Sequence, residues 1–211
     1  MTTIATHVAC QKLVHRRGQE LGITRMYVEG QLAGDKKMTF VSVHEPRGVQ
    51  VLVWGTLSDK TCRAILGNST QDLHAGLMVG LEGAVRAGMS GNNINTANII
   101  AAMFVATGQD AASVLESGWT QLCSDYDPDT MDLHLSLFIP SLIVGSVGGG
   151  TAYSTQKEAL DLIGCAGEGK KWALAETIAS FALALEVSTM SAIIDDTFTK
   201  SHQRLARSNK L

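Results

Sequence analysis

Aromatic residues make up only 5% of the 211 residues, and no basic patch is interleaved with them. With a net charge of -3, nothing favours a nucleic-acid surface. Cysteine is sparse and scattered. Cys10, Cys62, Cys123 and Cys165 match neither a CxxC pair nor a disulfide framework, so they read as free thiols of a reducing compartment. The histidines and cysteines show no metal-ligand spacing, and no metal is expected. No signal peptide is evident and no apolar run reaches the roughly 18 residues of a membrane span. A cytoplasmic protein is the expectation.

Apolar residues at 45% against 18% charged describe a globular chain with a sizeable core. Gly and Ala are abundant, which favours close helix packing, and a homodimer or higher oligomer would bury surplus apolar faces. The organising stretch is Gly91 to Ala111, GNNINTANIIAAMFVATGQDA. Asn92, Asn95 and Asn98 recur at helical spacing. Ala97 to Val105 is apolar on every side except Asn98, as in a helix wrapped by protein. Asn98, Ala102, Ala106 and Asp110 share one face. A carboxylate closing such a run is costly unless something pairs with it.

In chain order, Val8, Leu13 and Val14 mark an opening helix ended by Gly18 and Gly22. Ile23 to Val28 has strand composition, and Gly30 to Lys37 is a turn. Two strands, Met38–His44 and Val49–Gly55, are predicted as a hairpin joined by EPRG. Ser58 caps a short helix to Leu66, and Thr70 or Asp72 a longer one through Arg86. Trp119–Cys123 and Leu133–Val144 read as strands. Helices are predicted over Ser154–Ile163 and Lys171–Lys200, with His202 on the end of the latter, before a basic frayed tail, RLARSNKL. The class is α+β, helices on a small, mostly antiparallel sheet.

Three groups could carry chemistry. Lys36 and Lys37 are either a solvated turn or ammonium groups held over a carbonyl. Asp110 is an N-cap or the partner of a lysine. His202 balances a helix dipole or acts as a general acid near neutral pH. The loop GSVGGGT, Gly145 to Thr151, lacks both G-x-G-x-x-G spacing and a P-loop lysine, so alone it marks only a close backbone approach.

Together, GDKK at Gly34, NTANIIAAMFVATGQDAA at Asn95, IPSLIVGSVGGGT at Ile139 and KSH at Lys200 resemble the catalytic domain of HMG-CoA reductase, closest to the eukaryotic-type class. The resemblance implies that residues 1–30 are a remnant of the small cofactor domain and 31–211 one half of the large domain. It implies that Lys36 stabilises the oxyanion formed as hydride reaches the thioester, that Asp110 binds this lysine, and that His202 protonates the leaving thiolate. Lys37 would hold a substrate carboxylate, and Gly148 and Gly149 lie in the loop that runs along the nicotinamide.

Departures accompany the matches. The family's catalytic glutamate and its cofactor signature DAMGMN have no counterpart in this chain. A carboxylate-binding lysine is replaced by Met78, and the histidine of HAAN by Asn95, with Asn98 kept. A serine ahead of GDKK is replaced by Glu29. Cofactor binding and reductase activity are therefore expected to be lost. The leading expectation is a cofactor-free enzyme of secondary metabolism that cyclises or isomerises an apolar terpenoid or polyketide, such as a Diels–Alderase with Lys36 as carbonyl donor. Its pocket would be an apolar concavity including Met78, Asn95 and Asn98. The alternatives are a dimerising scaffold that regulates a reductase, or a fragment of an NADPH-dependent reductase.

Overall fold

The computed structural model describes residues 2–206. They divide into two compact units, Met1–Asp35 and Lys36–Leu211. The first is α1 (Thr2–Arg17), closed by an Arg17–Glu20 ion pair, followed by turns and irregular chain. Ile23 to Val28 is not a strand. Its residues have the composition, but a strand exists only by pairing, and among the described residues this segment has no partner strand.

The second unit is α+β. It begins with α2 (Phe40–His44) and β1 (Val49–Leu57). The expected hairpin is absent because Phe40–His44 is helical. Thr39 and Ser42 form a reciprocal capping box that closes the four-residue turn, and this local bonding overrides the β-branched composition. Next come α3 (Asp59–Leu66), capped by Ser58 as expected, and α4 (Thr70–Arg86), capped by Ser69 rather than Thr70 or Asp72. Then follow α5 (Thr96–Thr107), α6 (Val114–Ser117), β2 (Gln121–Tyr126) and β3 (Leu133–Leu142). The helices α7 (Ser154–Leu162), α8 (Lys171–Ile194) and α9 (Thr197–Ala206) complete the described chain. The sheet order is β1-β3-β2, antiparallel throughout.

The core forms around α8, which packs on β1, β3, α4 and α5. Leu174, Ala175, Ile178, Ala179 and Ala182 are fully buried against Ile100 and Phe104 of α5, Leu73 of α4 and alternate residues of β3. The alanines keep the helix surface low, so neighbouring elements approach closely. By length and mean hydropathy of 1.7, α8 is the one helix among the described residues that could cross a membrane, contrary to the expectation of none. Here it is the central core helix.

Two further expectations fail. The long C-terminal helix breaks after Ile194. Asp196 adopts φ 61°, and Asp195 accepts from the Thr197 N–H at 3.0 Å, so a new helix starts there. The tail RLARSNKL is helical through Ala206, and the rest lies outside the described residues. Nor is α5 wrapped all round. It buries Thr96, Ile100, Phe104 and Thr107, while Ala97, Asn98, Ala102, Val105 and Ala106 stand open to solvent. The described residues supply a neighbour for one face only.

Candidate functional site

The site is built on the short stretch that follows α5. Gly108 ends the helix at φ 71°, and a side chain there would come within 2.4 Å of the Gly150 backbone. Only glycine lets the two loops meet so closely. Gln109 then ties them together. Its amide accepts from the Gly145 N–H at 2.8 Å and donates to the Gly145 carbonyl at 3.0 Å. The loop Gly145–Thr151 is thus anchored one residue from Asp110.

Asp110 does two things at once. It caps the following turn, accepting from the Ala112 N–H at 3.1 Å, and its Oδ2 lies 2.7 Å from the Lys36 ammonium. The pair is 40% and 49% exposed, open enough to meet a ligand. The hydrogen bond from Lys36 holds the Asp110 carboxyl below the usual carboxylate range, helped by the Ala112 N–H and the lysine charge against a desolvation cost.

Lys36 is gripped at both ends. Its backbone N–H donates to Glu116 Oε1, and Arg47 binds the same carboxylate through Nε at 2.7 Å and Nη2 at 2.6 Å. Glu116 is 1% exposed. Lys36 itself sits at φ 59°, in the left-handed region, a strain of order 1 kcal/mol for a residue other than glycine. Such strain persists only where the surroundings enforce it. Here Glu116 and Asp110, six residues apart, enforce it.

The glycine loop exposes bare main chain. Gly148 (φ 87°) and Gly149 (φ 56°) have nothing within 4 Å of where a Cβ would stand, and Thr151 Oγ1 fixes the turn through the Gly148 carbonyl at 2.7 Å. The main chain there is open to close approach. Beside the site, an open concavity of about 670 Å³ is lined by Met38, Met89, Ala97, Ala112, Leu115 and Trp119, and the Trp119 indole N–H is buried without a hydrogen-bond partner. An apolar concavity was expected, but Met78, Asn95 and Asn98 are not among its lining residues.

The remaining candidates lie elsewhere. Lys37 is exposed beside Lys36, and Met78 is half-exposed on α4. Asn95 precedes α5 and binds Thr189 and Asn98 through its side chain. Asn92 is outside the helix altogether and binds the Leu122 backbone, so the asparagine triplet is not a helical row. His202 is exposed on α9, with Nδ1 2.9 Å from the Phe198 carbonyl and its ring 4.4 Å from that of Phe198. Both of these contacts lie within α9. Among the described residues, no cluster of three or more His, Cys, Asp or Glu could hold a metal.

Sequence reasoning missed Gln109, Glu116 and Glu186. Glu186, fully buried in α8, accepts from the N–H groups of Ile94 and Asn95, each at 2.7 Å, and from the Thr96 hydroxyl at 2.8 Å. A lone acid inside a long apolar helix was the available signal.

A lysine held by an aspartate at the end of a core helix, next to a bare glycine loop, is an arrangement able to stabilise negative charge on a ligand oxygen. The comparisons are specific about the family. Residues 1–207 match hydroxymethylglutaryl-coenzyme A reductase, and the chain belongs to that family. It is 37% identical to the 3-hydroxy-3-methylglutaryl-coenzyme A reductase of Aeropyrum pernix over 85% of this chain and 44% of that protein. To the Methanocaldococcus jannaschii reductase it is 32% identical over 98% of this chain and 51% of that protein. To reductase 1 of Hevea brasiliensis it is 35% identical over 87% and 33%, respectively. The chain therefore spans half, or less, of the length of these relatives.

These findings overturn the non-redox cyclase or isomerase. The relatives are named reductases, oxidoreductases that share this part of the chain. The cyclase reading rested on the missing glutamate and cofactor signature. A match covering half of a relative leaves the other half uncompared, so those gaps carry no argument for a change of chemistry.

Proposed function

We propose that this chain is the carbonyl-polarising part of an NADPH-dependent HMG-CoA reductase. The supporting observation is the Lys36–Asp110 pair at 2.7 Å, tied through Gln109 to the glycine loop. Lys36 donates to a thioester carbonyl oxygen and takes up the negative charge that develops there. Asp110 keeps the ammonium charged and aimed. Lys37 binds a carboxylate of the acyl group. The imidazole of His202 on α9 gives a proton to the departing thiolate once α9 closes toward the site. A nicotinamide cofactor, when bound, would supply hydride, and the open main chain at Gly148 and Gly149 would help to hold it. Residues 1–30 then belong to the cofactor side of the enzyme.

The test combines this chain, mixed or fused, with the part of the Aeropyrum pernix reductase outside the matched region. NADPH oxidation dependent on HMG-CoA is expected, and Lys36→Ala lowers it by about a hundredfold or more. A folded fusion with no turnover, or turnover indifferent to Lys36, overturns the reading.

A further inference from the structure

The two edges of the sheet are finished differently. Along β2, the Asn92 side chain stands in for a neighbouring strand, accepting from the Leu122 N–H at 2.8 Å and donating to its carbonyl at 2.6 Å. The Asn92 N–H adds a bond to the Thr120 carbonyl at 3.1 Å, and Asp125 places a charge on the strand. Such devices stop an edge from recruiting another strand.

β1 has no such device beyond a register irregularity at Val49–Val51. Its sequence, VQVLVWGTL, carries no charge and no proline, and among the described residues it pairs only with β3. On the sheet's outer face, Leu52 and Trp54 are 58% and 77% exposed, and Leu52 pairs with Phe138. Toward β2 the same face turns polar, with Gln121, Cys123 and Asp125. Against the other face, an apolar groove of about 380 Å³ opens between β1, α3 and α8, lined by Val53, Leu57, Ile65, Leu66, Leu183 and Val187. A strand laid along β1 would place alternate side chains into this groove and against Leu52 and Trp54.

We propose that the β1 edge and its groove receive an uncharged, apolar β-strand from the reductase polypeptide that the relatives carry outside the matched region. This rests on the reading given under Proposed function. Length argues for that occupant. The archaeal reductases match over 44% and 51% of their chains, so each carries about as much polypeptide again beyond this part.

The probe is the unmatched part of the Aeropyrum pernix reductase, added to the full chain and read by hydrogen exchange. The β1 amides turned away from β3 are expected to slow by at least about tenfold. Leu52→Lys with Trp54→Lys should weaken binding by about tenfold or more, while Leu162→Lys on exposed α7 should not. Circular dichroism checks that each variant folds. If the probe does not fold alone, exchange is compared between the chain and its fusion with the probe. Binding with β1 unprotected, binding unaffected by the double variant, or β1 protected by self-association of the chain alone each overturns the proposal. Turnover is a separate reading. A complex that protects β1 without turnover counts against the reductase assignment alone, and turnover with β1 unprotected counts against the strand alone.

Discussion

Glu186 and Asp110 are both acids that border α5, one before its start and one after its end, and their surroundings are opposite. Glu186 is fully buried and takes three donors from Ile94, Asn95 and Thr96, joining α8 to the N-terminus of α5. Asp110 is half-exposed, with a lysine on one oxygen and one backbone N–H on its side chain. A buried polar group is expensive to leave unpaired, whereas an exposed ion pair contributes little to stability. The first carboxylate therefore belongs to the scaffold and the second is free to serve a site.

The largest expected effect breaks this contrast at the buried end. Glu186→Ala orphans donors that water reaches poorly and should cost about 3 kcal/mol in chemical denaturation, with Glu186→Gln costing about half as much. A loss below about 1 kcal/mol would erase the distinction from Asp110. Glu116→Gln comes next, at about 2 kcal/mol. It breaks the two-pronged bond to Arg47, but that guanidinium is partly exposed and water takes over some of its bonding.

Lys36 tests backbone against charge. Both Lys36→Ala and Lys36→Gly remove the ammonium, but only glycine adopts φ 59° without strain, so the glycine variant should unfold about 1 kcal/mol later than the alanine one. The smallest effect is the pH dependence of Asp110. Its lowered pKa means that the stabilisation from the Lys36 pair is present at neutral pH and is lost as pH falls through that value. The stability gap between the wild type and Asp110→Asn, under about 1 kcal/mol because the pair is half-exposed, should close in acid. A gap that persists after pH has fallen below the lowered Asp110 value would mean that the helix cap, not the ion pair, is what Asp110 contributes.

Where short-range chemistry decides the structure, the residues alone were readable. Ser58, the apolar run of α5, the alternation in β3 and the glycines before α7 placed those elements closely. The misses come from bonds that composition hides. Phe40–His44 looks like a strand until Thr39 and Ser42 close their box, and α8 to α9 looks continuous because an aspartate, not a glycine or proline, takes the left-handed turn. In the site, the Lys36–Asp110 pair came from motif resemblance. Gln109 and Glu116 stayed hidden because their partners, Gly145, Arg47 and the Lys36 backbone, are distant in sequence. Asp110 has the partner expected of it in Lys36, but it is half-exposed, and a fully buried acid in an apolar helix lies elsewhere. That acid is Glu186.

The left-handed residue at Asp196 makes α9 a lever. His202 rides six residues beyond this single-residue fulcrum, an arm of about 9 Å at the helical rise per residue. A rotation of about 10° there displaces the imidazole by about 1.5 Å. Replacing Asp196 with a strong helix former would fuse α8 and α9 into one rod and take the fulcrum away. The position of His202 is thus set by one backbone angle at the junction of α8 and α9.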